Sequence, residues 1–349
     1  MNKIALAIHG GAGTILKSAM TPALELEYRG GLEAALKAGW NVLEKGGSSL
    51  DAVEAAVVSL EDFPLFNAGR GSVFTHEGKQ EMDACIMDGA RLKAGAVAFV
   101  KNIRNPIRLA RLVMERTKHV LLAGEGANQF AKQIGVPAEP DEYFFTEHRW
   151  LQLQDAISAG RIQLDHFTAE TPRLGEKSEP GAVATGLLED EAEARAAGSA
   201  PPTDIPHSAF RIPHSKGTVG AVACDKNGNL AAATSTGGMT NKKFGRVGDT
   251  PIIGSGNYAD NLCAVSCTGH GEFFMLGVTA FDLAARMKYK GLGLEDAARE
   301  TIEHLTAIGG EGGFVAVDAK GNVVSPFNSE GMYRGYVAED GVQKIDIYK

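Results

Sequence analysis

Two threonines in one short stretch have the type and spacing to do chemistry together. Residues 217–238, GTVGAVACDKNGNLAAATSTGG, read as two strands around Asn227-Gly228, the dipeptide most favoured in a tight type I′ hairpin turn. With Lys226 facing Asn229, Thr218 falls opposite Gly237 and Thr236 opposite Val219. Opposed residues lie roughly 4.5–5.5 Å apart and diagonal ones only somewhat farther, so Thr218 and Thr236 are expected to be neighbours. Thr218 follows a glycine, and glycine takes strained backbone conformations that help an adjacent hydroxyl attack the peptide carbonyl. A cut between Gly217 and Thr218 would leave Thr218 with a free α-amine. Such an amine has an ordinary pKa near roughly 7.7–8.0, so much of it is neutral and able to act as base for its own Oγ. The plainer reading of Gly217-Thr218 is a strand start, because threonine favours strands.

The elements that would hold these residues are legible in part. Residues 3–8 read as a buried strand ending in the glycine turn HGGAGT, residues 9–14. Two helices follow, 24–45, closed by Gly46 and Gly47, and 49–59, opened by a Ser and Asp cap signal. Residues 61–74, EDFPLFNAGRGSVF, mix Pro, Asn and Gly with apolar residues and are expected to form an irregular loop with a buried anchor. A strand is expected at 94–100 and a helix at 106–115. From about 160 to 216 prolines are scattered among Glu, Asp, Ala and Ser, the composition of a long mobile linker whose far end is cut loose. Residues 313–331 repeat the hairpin pattern, with Asp318 and Gly321-Asn322 at the turn, and helices are expected between the hairpins at 273–289 and 294–308. This ordering predicts an α+β fold of mainly antiparallel sheets covered by helices.

Several strings then carry a resemblance: TVGAVACD from Thr218, ATSTGGMTNK from Ala233, GRVGDTP from Gly245, SCTGHGE from Ser266, and HGGAG, PLFNAGRGSVF and EMDACIMDG in the first half. In this order they resemble the plant-type L-asparaginases, or isoaspartyl aminopeptidases, over most of residues 1 to about 130 and nearly all of 217–335. The resemblance implies a threonine-type N-terminal nucleophile hydrolase with a four-layer αββα sandwich. It divides the chain into an α subunit, 1–217, and a β subunit, 218–349, of one domain, assembled as a dimer of αβ pairs. Thr218 would be the self-cleaving and hydrolytic nucleophile, and Thr236 would orient its hydroxyl. Arg246 would hold the substrate α-carboxylate through a bidentate fork, and Asp249 would pair with the α-ammonium. Without the surrounding GRVGD context, a surface ion pair is the plainer reading of these two. The Thr268 hydroxyl and the Gly269 N–H would form the oxyanion hole, with Asn67 as a supporting polar group; the plainer reading of Asn67 is a brace for its own loop.

The same resemblance places a structural sodium ion on the backbone oxygens of Leu60, Glu61, Phe63, Phe66, Ala68 and Arg70. No cofactor is implied for catalysis. His9 is read as a satisfied structural histidine, whereas His270 and Asn257 fall where the family varies and could touch the leaving group. The linker has no motif that aligns, so the subunit boundary rests on Gly217-Thr218 alone.

A chain of 349 residues, 44% hydrophobic, can bury a substantial core. Its formal charge of −8 and lack of a dense basic run argue against nucleic acid as a partner. The apolar run 4–8 is too short for a signal-peptide core and no stretch is long enough to span a membrane, so a cytoplasmic enzyme acting on a small-molecule substrate is expected. Cys85, Cys224, Cys263 and Cys267 lack metal or redox spacing and read as buried thiols. The competing functions are a glycosylasparaginase, a threonine endopeptidase, and a nucleotide-binding protein suggested by HGGAGT, which lacks the G-x-G-x-x-G spacing.

Overall fold

A computed structural model describes residues 3–160, 217–338 and 341–349. These belong to one compact unit, Met1–Phe167 with Pro213–Lys349; the second, Thr168–Ile212, lies outside the described residues, as does almost all of the expected linker. The first part of the chain runs β1 (Ala5–Gly13), α1 (Pro22–Glu44), α2 (Ser49–Glu61), β2 (Met82–Asp88), β3 (Lys93–Val100), α3 (Pro106–Arg116), β4 (Leu121–Ala123), α4 (Gly124–Gln133), α5 (Asp141–Phe144) and α6 (Glu147–Ser158). The second part runs β5 (Val219–Cys224), β6 (Leu230–Thr236), β7 (Asn257–Ala259), β8 (Cys263–Gly269), α7 (Gly271–Gly277), α8 (Thr279–Lys290), α9 (Leu294–Ala307), β9 (Gly312–Asp318), β10 (Val323–Val324), β11 (Gly331–Val337) and β12 (Gln343–Tyr348).

The strands form an eight-stranded sheet, in the order β12-β11-β1-β5-β6-β2-β3-β4, and a four-stranded sheet, β10-β9-β8-β7. Only β3 and β4 pair in parallel among the described strands. The fold is therefore mixed helix and sheet. Alternation along β5 shows how the sheets are covered: Ala221 and Ala223 join a core with Leu36, Val53 and Val57 of α1 and α2, whereas Val222 and Cys224 join Ala264, Val315 and Val317 of the smaller sheet. Val265, Cys267 and Phe314, on the other face of that sheet, pack with Leu283, Ala298 and Leu305 of α8 and α9. All four cysteines are buried and free.

Helix α2 begins where its cap signal puts it, whereas α1 begins at Pro22, two residues before the expected start, behind a Thr21 cap. Thr21 Oγ1 accepts from the Leu24 N–H at 3.2 Å and Ser48 Oγ from the Asp51 N–H at 3.1 Å. The loop after α2 is anchored by buried Phe66, packed against Tyr28 and Tyr333. Glu61, at the end of α2, accepts a hydrogen bond from Ser235 Oγ and so ties that helix to β6; burial pushes its carboxyl up to about 8.

Four expectations are corrected. The glycine segment after Ile8 is not a turn: β1 continues to Gly13, with a bulge against β11 between His9 and Gly11. Glycine makes this possible, since Gly11 has φ +119° and a Cβ on Gly10 would sit 2.4 Å from the Phe66 ring. The hairpin register is shifted by one residue. Cys224 faces Leu230 and Val219 faces Ser235, so one further step sets Thr218 opposite Thr236. The turn has three residues rather than two, with Gly228 at φ +79° donating to the Asp225 carbonyl. The expected helix 273–289 is broken at Val278, φ +46°, into α7 and α8. Finally β2, β4, β7, β8, β11, β12, α4, α5 and α6 were not anticipated.

Candidate active site

Thr218 sits immediately before β5 and is only 6% exposed. Gly217 has φ +96°, in the region closed to most side chains, and an added Cβ would lie 2.6 Å from Thr268 Oγ1 and 2.8 Å from Gly11 Cα. No other residue fits that space unstrained. The Thr218 N–H donates to Thr268 Oγ1 at 3.2 Å, and so does the Ala12 N–H at 3.2 Å. Gly269, at the end of β8, has φ +148°, and a Cβ there would fall 2.4 Å from the Glu311 carbonyl.

One cleft is lined by Gly217, Thr218, Thr236, Gly238, Met239, Arg246, Gly248, Asp249, Thr250, Gly269 and Gly271. It gathers Thr218 and Thr236, the two expected head-group residues and one of the two expected oxyanion donors. Thr268 touches the same place through Thr218. Asn67 is buried just behind: its Nδ2 donates to the Gly238 carbonyl at 2.8 Å, its own carbonyl accepts from the Gly237 N–H, and its Oδ1 accepts from the Val73 N–H. It braces the segment that follows Thr236.

Arg246 and Asp249 converge on Gly271, where an added Cβ would stand 2.8 Å from Asp249 Oδ1 and 2.9 Å from Arg246 Nη2. They do not form a simple pair. The Arg246 fork donates Nε and Nη2 to the two carboxylate oxygens of Glu272, both at 2.9 Å. Burial works against ionisation of Glu272, but these hydrogen bonds hold its carboxyl below the ordinary range. Asp249 is 4% exposed and its Oδ2 has no hydrogen-bond partner among the described residues. Burial pushes its carboxyl up to about 7 against the opposing pull of Arg246. The site thus presents a cation already matched by a carboxylate, and a buried acid lacking a cationic partner.

Glu272 lies inside the quoted string SCTGHGE, yet nothing in its spacing reveals that it faces a residue 26 positions earlier. His270 stands beside it, Nε2 3.5 Å from Glu272 Oε2 and edge-on to Phe273, with its imidazole held below the ordinary range by burial. Asn257 is elsewhere: it is fully buried, donates to the Cys85 carbonyl and Thr234 Oγ1, and does not line the cleft. His9 is fully buried and doubly hydrogen-bonded, and burial drops its imidazole to about 3, so it is neutral.

In the loop after α2, the carbonyls of Phe63, Phe66 and Ala68 each accept one backbone N–H, at 3.4, 3.0 and 3.1 Å, leaving a second lone pair, whereas the Leu60 carbonyl, still within α2, accepts from both the Asp62 and Phe63 N–H groups. Gly69, φ +52°, folds back so closely that a Cβ would lie 2.5 Å from the Glu61 carbonyl. Backbone carbonyls with a lone pair to spare are the donors that a hard cation takes. Among the described residues no group of three or more His, Cys, Asp or Glu side chains is placed to hold a metal, and no helix is long and apolar enough to cross a membrane.

A family model described as Asparaginase matches residues 2–347. The chain belongs to this asparaginase family. It is 47% identical to a protein named isoaspartyl peptidase from Salmonella typhimurium, with 100% of both chains covered. It is 42% identical to an isoaspartyl peptidase/L-asparaginase of Xenopus laevis, over 99% of this chain and 96% of that one. A plant-type L-asparaginase of Pyrococcus abyssi shares 40% identity over 96% and 97% of the two chains. These family members match the chain across both halves of the sheet, including the stretch that carries the cleft.

Proposed function

We propose that this protein hydrolyses L-asparagine to L-aspartate and ammonia and cleaves β-aspartyl dipeptides, using Thr218 freed by self-cleavage. The observation that supports it most is the single cleft shared by Thr218, Thr236, Arg246, Asp249 and Gly269. In processing, Thr218 Oγ attacks the Gly217 carbonyl carbon, the C–N bond breaks to free the Thr218 amine and leave an ester, and water then cleaves that ester to the Gly217 carboxylate and the Thr218 hydroxyl. In turnover, that amine takes the Oγ proton as Oγ attacks the side-chain carbonyl of the substrate. The proton passes to the departing ammonia or amino acid, and water then cleaves the β-aspartyl ester.

Each neighbour has a role that its contacts support. Thr268 Oγ1 already accepts two N–H groups, so its own proton is left to donate, together with the Gly269 N–H, to the developing oxyanion. Such donors contribute roughly 2.7–4 kcal/mol each. Thr236, opposite Thr218 across the hairpin and with its Oγ1 accepting from the Gly238 N–H at 3.0 Å, keeps its own proton to orient the nucleophile Oγ, and Asn67 holds the Gly237-Gly238 segment behind it. The substrate α-carboxylate takes the Arg246 fork over from Glu272, and the α-ammonium gives Asp249 its missing partner. No step calls for a metal; sodium on the 60–70 loop is structural.

The reading extends to the whole protein: a four-layer αββα sandwich of the N-terminal nucleophile type, α chain 1–217 and β chain 218–349, paired into a cytoplasmic dimer of αβ units. A glycosylasparaginase would use the same nucleophile but admit a sugar on the amide nitrogen. Comparing initial rates on a β-aspartyl dipeptide, L-asparagine and a glycosylated asparagine separates the two. Hydrolysis of the first two alone is expected; a preference for the glycosylated substrate would overturn the proposal.

A further inference from the structure

A column of uncharged side chains runs through the interior to the carbonyl of Thr218, and its hydrogen-bond directions can be assigned end to end. The Thr218 carbonyl can only accept, so His9 Nδ1, 2.9 Å away, carries the proton of the neutral ring. His9 Nε2 must then accept, and Ser266 Oγ, at 2.8 Å, donates to it. The Ala233 carbonyl, 3.2 Å from Ser266 Oγ, and the Gly256 carbonyl, 3.3 Å from Thr234 Oγ1, are the longer alternative acceptors; with its proton on His9 Nε2, Ser266 Oγ accepts from the Thr234 hydroxyl at 2.7 Å. Thr234 Oγ1 in turn accepts from Asn257 Nδ2 at 3.1 Å. All four side chains are 0% exposed. They come from β1, β8, β6 and β7, so the column stitches the two sheets together. The chain leaves room for it at one place: a Cβ on Gly220 would fall 1.9 Å from Ser266 Oγ and 2.4 Å from His9 Nε2.

We infer that Asn257, Thr234, Ser266 and His9 form a one-directional relay of positioning residues that fixes the nucleophile by its carbonyl oxygen. This rests on Thr218 being the nucleophile. Once the bond to Gly217 is broken, Thr218 is a chain terminus, and termini fray unless tied down. The β5–β6 ladder starts only at Val219. What holds the freed residue is the contact of its nitrogen with Thr268 Oγ1 and the hydrogen bond from His9 to its carbonyl. Rotation of that carbonyl would swing both the amine and Oγ away from the substrate, and a displacement of about 1 Å is enough to cost roughly a hundredfold in rate.

The test uses Thr234, in the middle of the column and outside the cleft. Thr234→Val keeps the shape and removes the hydroxyl; Thr234→Ser keeps the hydroxyl and removes a methyl. Each is assayed on a β-aspartyl dipeptide, with rates expressed per cut chain and melting temperature recorded. The relay predicts that Thr234→Val lowers kcat about tenfold, the worth of one broken buried hydrogen bond, with KM within about twofold. It predicts that Thr234→Ser restores kcat although it leaves the larger packing defect. An unchanged kcat in Thr234→Val, an equal loss in both variants, or a loss confined to KM would overturn the relay. None of these outcomes bears on the nucleophile, whose failure shows separately as activity in Thr218→Ala.

Discussion

Asp249 is held in a state that only a cation can relieve, and this sets how substrate affinity should depend on pH. With its carboxyl pushed up to about 7, it is largely neutral below that pH in the free protein and cannot pair with an α-ammonium. KM for L-asparagine is therefore expected to fall as pH rises through about 7, and Asp249→Asn should flatten that limb while raising KM throughout; steady-state kinetics between acidic and mildly alkaline pH check both. For Arg246, the two parallel bonds to Glu272 show that the fork is shaped for a carboxylate. Arg246→Lys keeps the charge but loses one charged hydrogen bond of roughly 1.5–3 kcal/mol, so kcat/KM should drop about ten- to a hundredfold. At this scale the sequence pointed to Thr218, Thr236, Arg246 and Asp249, which share one cleft, because they sit in short contiguous strings. It could not show Glu272 or the Ser266–His9 contact, which depend on residues brought together from distant strands.

The same turn positions two different strands. Asp225 Oδ1 accepts from the N–H groups of Asn227 and Asn229 while Oδ2 accepts from Asn229 Nδ2; Asp318 does the same with Lys320, Asn322 and Asn322 Nδ2. Both turns place glycine left-handed, Gly228 at φ +79° and Gly321 at +81°. Asp225 Oδ2 also accepts from the Ser49 N–H at 3.4 Å, so Asp225→Ala loses four hydrogen bonds and should destabilise the protein by about 2–3 kcal/mol, read as a lower midpoint in denaturant unfolding with unchanged slope. The turn also explains the one-residue error in register: Asn227-Gly228 suggested a two-residue turn, whereas Asp225 and Asn229 together close a three-residue one. Strand β2 escaped notice because it is buried along its whole length, and its MDACIMD has no clean alternation. Helix α6 leaves the apolar Trp150, Leu151 and Ile157 exposed while it buries Arg149 and Gln152, so its hydrophobic pattern does not mark the inward face; it is fixed by Arg149, whose Nε donates to the Gly71 carbonyl at 2.8 Å.

Strand order ties the whole molecule together across the proposed cut. β1 lies between β11 and β5, and β6 lies between β5 and β2, so segments from before and after residue 217 alternate through the centre of the large sheet. Two fragments divided there share one core and should co-elute on size exclusion, separating only in denaturant. The hairpins flanking a helical middle were legible from turn residues and periodicity, but this interleaving was not, since local pattern carries no record of which distant strand is the partner. The central claim remains the liberated threonine, and intact mass spectrometry of the pure protein after prolonged incubation tests it most directly. The account predicts two masses dividing at Gly217 and Thr218, and a single, inactive mass for Thr218→Ala. An undivided wild-type chain hydrolysing substrate at full rate, or an active Thr218→Ala protein, would contradict it.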